Sequence, residues 1–232
     1  LMRLNKAGDI LWETRGSFHH EFSLGEDGNL YTLTDRVVDD FALIDADAAN
    51  NAKFVANDVT IVNPDNGVII DSIPIEPAYY GSDYEAYLTN FDIEQPGAQR
   101  LELQHGQTLY DITHPNSVYR INKQQAALIP AFKEGDLLIS FRANSTLAVI
   151  RPSINQVVWA TRGAWQHQHD VTMNDAGEIL IYDNHGGGTI YSDDTTPPQL
   201  RYQPRLLSLN PNTHKSESTA QFIKDLPRFR NF

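Results

Sequence analysis

The stretch WATRGAWQHQHDV, Trp159 to Val171, closely resembles an earlier segment of the same chain, WETRGSFHHEF, which runs from Trp12 to Phe22. Both segments read Trp-x-Thr-Arg-Gly, followed by clustered histidines and an acidic residue. Self-similarity of this kind within one chain is typical of repeat architectures. The fold therefore has to place similar histidines at similar points of successive units.

The repeat extends beyond these segments. When His20 is set over His169, HEFSLGEDGNLYTLTD lies over HDVTMNDAGEILIYDN, and the turn glycines coincide. Alternating apolar residues on both sides of a glycine turn predict a β-hairpin. A looser third copy begins at Thr113 with THPNSVYRI and continues, after an insertion, in KEGDLLISFR with its turn at Gly135.

Each hairpin is followed by a second pair of strand-like runs. DVTIVNPDNGVIIDSIPI, TLAVIRPSINQVVWATRG and RLLSLNPNTHKSESTAQFI each have an apolar run, a proline in a short polar turn, and another run. Repeated units of four antiparallel strands predict an all-β fold, the β-propeller. The opening MRLNKAGDILWETRG reads as the outer half of an earlier blade, and we expect three full blades at His20–Ile75, His114–Gly163 and His169–Pro227.

We expect a single propeller domain over residues 1–232, with a helical insertion near 76–112 where AYYGSDYEAYLTNFD interrupts the repeat. Propellers usually close with about four to eight blades, so three and a half blades do not form a ring. Further blades outside this chain, or a second copy of it, would complete the ring. We prefer the first arrangement and leave a homo-oligomer open.

Composition excludes several classes of function. The formal net charge of −12 argues against nucleic acid as a partner, because phosphate binding needs a basic face. No apolar run reaches the roughly 18 residues of a membrane span. The chain has no cysteine, which excludes disulfides and thiolate metal sites. The opening residues lack a signal-peptide pattern, so an exported protein would already have lost its signal.

Three histidines start the first strands of the predicted blades: His20, His114 and His169. Because the first strand of each propeller blade lines the central channel, we expect their side chains to converge. Arg142 ends an apolar strand, where its cation is placed to meet an anion held by the histidines. Asn184 occupies the matching position of the next hairpin.

A metal site is a competing interpretation of the same residues. His167 and His169 are two residues apart, so on a strand both side chains face one side, and neutral imidazole is a common metal ligand. Arg142 in the same place would oppose a cation, so we expect neither a metal nor another cofactor. By the same alternation, His19 should face away from the channel.

The motifs HHEF, HPNSV, GDLLISFR and QHD…GEILIYDN resemble, in this order, those of the bacterial arylsulfate sulfotransferases. The resemblance implies a six-bladed propeller, exported to the periplasm or secreted, that moves a sulfuryl group from an aryl sulfate ester to a phenol without a nucleotide donor. It implies that His169 is a nucleophile that becomes transiently sulfated. It also implies that the sulfate is surrounded by His20, His114, Asn116 and Arg142.

We add Asn184 and His167 to Asn116 as candidate substrate-binding residues, and we leave open which of His20 and His114 acts as the acid. The insertion lies outside the family's motif pattern. The alternative function is a noncatalytic propeller that binds an anionic ligand or a protein partner through its central channel. A lyase or hydrolase with histidine and arginine at its axis is a third reading.

Overall fold

The protein is built from antiparallel sheets that form propeller blades, so the all-β prediction is confirmed. The computed structural model describes residues 1–38, 52–89, 99–102, 108–163, 165–184, 189–191, 199–201 and 204–218. The chain opens with a two-stranded sheet, the predicted outer half of a blade, made of β1 (Met2–Leu4) and β2 (Ile10–Glu13).

The first full blade is an antiparallel meander in which each strand pairs with the next. Its strands are β3 (Phe18–Leu24), β4 (Leu30–Val38), β5 (Ala52–Val62) and β6 (Ile69–Pro74).

The insertion follows this blade and is only partly helical in the residues described. A 3-10 helix and the short α1 are followed by a β-hairpin, β7 and β8, and β8 pairs in parallel with the start of β5. The hairpin therefore widens the first blade's sheet at one end. The elements are the 3-10 helix Glu76–Tyr79, α1 (Glu85–Thr89), β7 (Gln99–Glu102) and β8 (Thr108–Asp111).

The second blade is again a four-stranded meander, with α2 between its first two strands and a 3-10 turn between its last two. Asn122 caps α2, because its side chain accepts from the main-chain N–H of Gln125. The elements are β9 (Pro115–Arg120), α2 (Lys123–Ala126), β10 (Leu137–Phe141), β11 (Thr146–Arg151), the 3-10 helix Pro152–Ile154 and β12 (Gln156–Arg162).

The third blade departs from a plain meander, because a separate hairpin interrupts it between its second and third strands. The last part of its predicted range, from 219 to Pro227, lies outside the described residues. The blade consists of β13 (His169–Met173), β14 (Ile179–Asp183), β17 (Arg205–Asn210) and β18 (Lys215–Ser218), and the interrupting hairpin of β15 (Thr189–Tyr191) and β16 (Gln199–Arg201).

The second blade is buried on both faces. Every residue of β10 is buried, and successive side chains alternate between two apolar clusters. Ile139 packs toward the first blade with Leu33, while Leu138 packs toward the third blade with Val171 and Ile181. A single sheet cannot bury two apolar faces alone, so the blades stack, and β9 consequently contacts both β3 and β13.

The repeated Trp-x-Thr-Arg-Gly segments join neighbouring blades. Trp12 donates its indole N–H to the carbonyl of Pro64 at 2.9 Å, and Trp159 donates to that of Pro211 at 3.2 Å. At Gly163, a Cβ would lie 1.9 Å from the ring of Trp165, which folds back over the glycine. The motif thus places a tryptophan against the next blade and then turns the chain inward.

Candidate functional site

The structure brings together the three histidines that the repeat predicted to converge. The ring centroid of His20 lies 5.1 Å from that of His114 and 6.0 Å from that of His169. His19 joins them, with its centroid 5.1 Å from His20. We call these four residues the histidine cluster.

The backbone explains why residues so far apart in sequence meet. The pairing of β3 with β4 is interrupted between His19 and Phe22, and His20 there has a left-handed φ of 56°. This β-bulge redirects the side chains that follow it. His114 also has a left-handed φ, 44°, at the entry to β9. Non-glycine residues in this region are uncommon and concentrate at functional sites.

The bulge overturns the prediction that His19 faces away. Nδ1 of His19 lies 2.8 Å from Nδ1 of His20, so consecutive side chains are on the same side. Strict alternation holds only in a regular strand, and the inserted residues remove it here. His19 is thus a member of the cluster that the sequence interpretation missed.

His169 is held by two groups at one ring nitrogen. Its Nδ1 lies 2.9 Å from the carbonyl oxygen of His167 and 2.8 Å from the side-chain amide of Asn184. A carbonyl can only accept, so Nδ1 carries the proton and the lone pair of Nε2 is left for chemistry. This tautomer requires the amide oxygen of Asn184, and not its nitrogen, to face the ring of His169. The two orientations differ only by rotation of the amide group, which exchanges its oxygen and nitrogen.

Burial, together with nearby positive charge, favours the neutral form of His169. Burial lowers the pKa of His169, the positive charges of Arg142 and His114 lower it further, and the carbonyl of His167 opposes them. A neutral imidazole is the form that can act as a nucleophile.

Arg142 lies beside the cluster, directly after β10. Its main-chain N–H donates to the carbonyl of His114 at 3.0 Å, which fixes where the side chain begins. Its Nη1 is buried and has no hydrogen-bond partner among the residues described. A buried guanidinium nitrogen with a free donor is costly unless an anion or water meets it.

His114 is held by a carboxylate that the sequence interpretation missed. Asp111 accepts from the ring at Nδ1, 2.5 Å away, and from the main-chain N–H of His114 at 3.0 Å. The acid lies three residues before the histidine, but it ends β8 in the insertion, which the repeat comparison had set aside. The position of Asp111 just before the HPNSV motif was the sequence signal that could have identified it.

Asn116 is 2% exposed and donates to the main-chain carbonyl of Gln168 at 2.7 Å. Gln168, fully buried, donates in turn to the carbonyl of Phe141 at 2.9 Å. These bonds tie the start of β13 to the second blade and so place His169 next to Arg142. The contacts described for Asn116 are therefore structural, and its contact with substrate stays a prediction.

His167 contributes through its backbone, which has a left-handed φ of 53° and turns its carbonyl toward His169. Among the residues described, no group of three His, Asp or Glu side chains is arranged to hold a metal ion.

His20 and Glu21 are both shifted toward their neutral forms. Although His20 keeps an exposed edge, desolvation of its ring lowers its pKa to about 4, and His114, His19 and His169 act in the same direction. Burial raises the pKa of Glu21 to about 7, and the nearby charge of Asp170 adds to this. Shifted titratable groups gathered in one place indicate a functional site.

Fold and cluster together define a β-propeller protein with a histidine–arginine site at the start of its inner strands. The sequence model of the family described as "Arylsulfotransferase (ASST)" matches residues 1–226. The chain therefore belongs to the arylsulfotransferase family, and the resemblance read from its motifs is confirmed.

One similar solved structure is the crystal structure of a protein of unknown function from Bacteroides caccae at 1.35 Å resolution. It is 13% identical, with a TM-score of 0.44, and the alignment covers 93% of this chain and 51% of that one. The chain thus spans about half the length of that structure. No curated protein gives a significant match. Within the described ranges, no helix is long and apolar enough to cross a membrane.

Proposed function

We propose that the protein transfers a sulfuryl group from an aryl sulfate ester to a phenolic acceptor through a sulfohistidine at His169. The observation that carries the proposal is the buried Nη1 of Arg142, which meets no hydrogen-bond partner in the described part of the chain and lies by His169, whose pKa burial lowers. A nucleophile next to a free cation is suited to a substrate whose reacting group is an anion.

In the first step, the lone pair of Nε2 of His169 attacks sulfur, and the bond from sulfur to the aryl oxygen breaks. The sulfuryl group passes to Nε2, and the aryl oxygen leaves with the bonding electrons and takes up a proton. His114 suits the role of acid, because Asp111 accepts at Nδ1 and leaves an Nε2–H to donate when the ring is protonated.

In the second step, the acceptor phenol loses its proton to a base, and its oxygen attacks sulfur while the bond to Nε2 of His169 breaks. This restores the neutral imidazole. His20 suits the role of base, because a histidine with a pKa of about 4 is neutral at physiological pH. Splitting one difficult transfer into two easier ones is the general advantage of covalent catalysis.

During each transfer, sulfur passes between two nucleophiles and its oxygens carry negative charge. Arg142 stabilises that charge. A preorganised donor in a partly dry site is worth more than one in water, because it does not reorganise during the reaction. Proteins of this family typically act outside the cytoplasm, and we extend that location, periplasmic or secreted, to this protein as part of the proposal.

The test is to mix the protein with 4-nitrophenyl sulfate and phenol, quench during turnover, and measure the mass of the peptide that contains His169. We expect release of nitrophenol and a sulfuryl adduct on that peptide. A His214→Gln variant is the matched control, since His214 stacks on Trp159 away from the cluster. Binding of the ester without release or adduct would instead favour the noncatalytic propeller, and an adduct elsewhere would reject the assignment of His169.

A further inference from the structure

The segment that leads into β13 is anchored on both sides of His167. Before it, the main-chain N–H of Gln166 donates to Oδ1 of Asp183 at 3.0 Å. After it, the fully buried side chain of Gln168 donates to the main-chain carbonyl of Phe141 in the second blade, at 2.9 Å. The backbone of His167 is therefore fixed by the residue on either side of it.

Between these anchors, His167 has the left-handed φ of 53°, and its carbonyl oxygen lies 2.9 Å from Nδ1 of His169. A side chain with a Cβ disfavours this backbone conformation, which persists only where the surrounding structure holds it. The anchors thus maintain the conformation that supplies an acceptor to Nδ1 of His169.

The anchor on the N-terminal side is a fully buried carboxylate. Oδ2 of Asp183 accepts from Nε of Arg205 at 2.9 Å, and the two residues lie opposite each other in the pairing of β14 with β17. A hydrogen bond between a guanidinium and a carboxylate is stronger than one between neutral groups. The carboxylate that receives the N–H of Gln166 is therefore fixed to the sheet of the third blade.

Asp183 also ends β14 directly before Asn184, whose side-chain amide lies 2.8 Å from Nδ1 of His169. The preceding residue, Tyr182, pairs with His169 across the sheet. One carboxylate consequently joins the turn that carries the His167 carbonyl to the strand end that carries Asn184. Both groups that contact Nδ1 of His169 depend on this connection for their positions.

We infer that Asp183 is a positioning residue that holds His169 in the tautomer with its proton on Nδ1 and its lone pair on Nε2. It acts through the main chain of Gln166, which sets the direction of the His167 carbonyl, and through its neighbour Asn184. The inference rests on the proposed function for its consequence, because Nε2 is the atom that attacks sulfur. A histidine ring in water prefers the opposite tautomer, which has no lone pair on Nε2.

The first test needs no substrate and uses Asp183→Asn. The amide has nearly the size of the carboxylate but only one acceptor oxygen, which should face the cation of Arg205, so that its NH₂ group meets the N–H of Gln166 and that bond is lost. Proton–nitrogen correlation spectra of the ¹⁵N-labelled protein at neutral pH report which nitrogen of His169 is protonated. We expect Nδ1–H in the wild type and a mixture with Nε2–H in the variant.

The matched control is Asp136→Asn. Asp136 is also a buried carboxylate that accepts from a main-chain N–H, that of Lys133 at 2.8 Å, and from a guanidinium, that of Arg151 at 2.8 Å. It lies just before β10, whereas Arg142 follows the other end of that strand beside the cluster. The control loses a comparable buried contact, so we expect its His169 signals to match those of the wild type.

An unchanged His169 tautomer in Asp183→Asn contradicts the inference, as does a wild-type ring that carries its proton on Nε2. An equal change in Asp136→Asn also contradicts it, because the change would then report a general loss of packing. If Asp183→Asn does not fold, Asp183→Leu decides by the same criterion, since it puts an apolar group in the buried position and Arg205, whose side chain is 26% exposed, can turn to water.

The second test applies where transferase activity has been found. We expect Asp183→Asn to lower kcat about tenfold to a hundredfold while KM stays within about twofold, because the substrate still binds but the lone pair on Nε2 is less often present and less well oriented. The kcat of Asp136→Asn should stay close to that of the wild type. Equal kcat in the wild type and Asp183→Asn would reject the positioning role. A wild type without activity would reject the proposed function, while the spectra would still decide the tautomer.

Discussion

The inner strands of the first and third blades use the same backbone device for different chemistry. Each has a bulge with a left-handed residue, His20 at φ 56° in β3 and Asp170 at φ 50° in β13. In the first blade the histidine occupies the bulge itself. In the third blade His169 precedes it and still pairs with Tyr182.

The neighbours of each ring set its role. The Nδ1 of His169 meets a carbonyl, which fixes the proton there and leaves a nucleophilic nitrogen. The Nδ1 of His20 meets another imidazole, so two rings share one proton. A repeat can therefore supply equivalent positions, while the group that each ring meets at Nδ1 makes the two rings different.

The largest effect is expected from removal of the nucleophile. We expect His169→Asn to lower the transfer rate by ~10³-fold or more, because the covalent route is lost and only binding and electrostatic help remain. Rates of nitrophenol release measure this. His20→Asn, which leaves the nucleophile in place, should cost less, ~10²-fold, the lower end of the range for lost proton transfer. Equal rates for wild type and His169→Asn would remove the distinction between the two rings.

The next largest effect is expected from the cation beside His169. Arg142→Gln should lower kcat by ~10²–10³-fold, as for the loss of one preorganised donor. It should also move the acid limb of the kcat/KM profile to higher pH, because Arg142 lowers the pKa of His169 and its removal lets that pKa rise. The profile is measured from about pH 4 to 9. An acid limb that moves to lower pH would contradict this placement of the charge.

A smaller effect should separate the two Trp-x-Thr-Arg-Gly segments that precede these strands. Gly163→Ala should destabilise the protein by about 1–3 kcal/mol, because its Cβ would meet the buried ring of Trp165 at 1.9 Å. Gly16→Ala should cost less, about 0.5 kcal/mol, since its Cβ would meet only the edge of the half-buried Phe18 ring, at 2.9 Å. Urea unfolding of both variants gives the comparison, and equal losses would show that the segments are interchangeable.

The smallest expected effect concerns stability in acid. The pKa of His20 is about 4 when folded and about 6.5 when unfolded, so lowering the pH through this window protonates the unfolded chain first and removes stability. His20→Gln lacks this contribution and should lose about 1 kcal/mol less than wild type between pH 7 and 4.5, a discounted figure because the ring has an exposed edge. A larger acid loss in the variant would contradict the lowered pKa.

Much of the fold and part of the site follow from the sequence. Alternating runs around glycine turns indicated the blades, and the register of His20 on His169 indicated that their rings would meet. The interrupting hairpin β15–β16 left no comparable pattern in the repeat. His19 was misplaced because alternation assumes a regular strand, and a left-handed φ at His20 has no signature in a histidine.

Asp111 and Glu76 were missed for another reason. Both belong to the insertion, and a comparison of repeats sets aside what the repeats do not share. Glu76 bonds to Asn57, which is distant in sequence, and no local pattern encodes that contact, whereas Asp111 lies only three residues before His114.

The insertion has one consequence for protein engineering. Its first residue, Glu76, is bonded to Asn57 and Thr113, and the last residue of β8, Asp111, is bonded to His114. Between them, Ala78, Tyr79 and Leu88 are buried in the apolar core that also contains Leu33 and Ile139 of the first two blades. A replacement for this segment would therefore have to reproduce both the carboxylate contacts and this apolar packing.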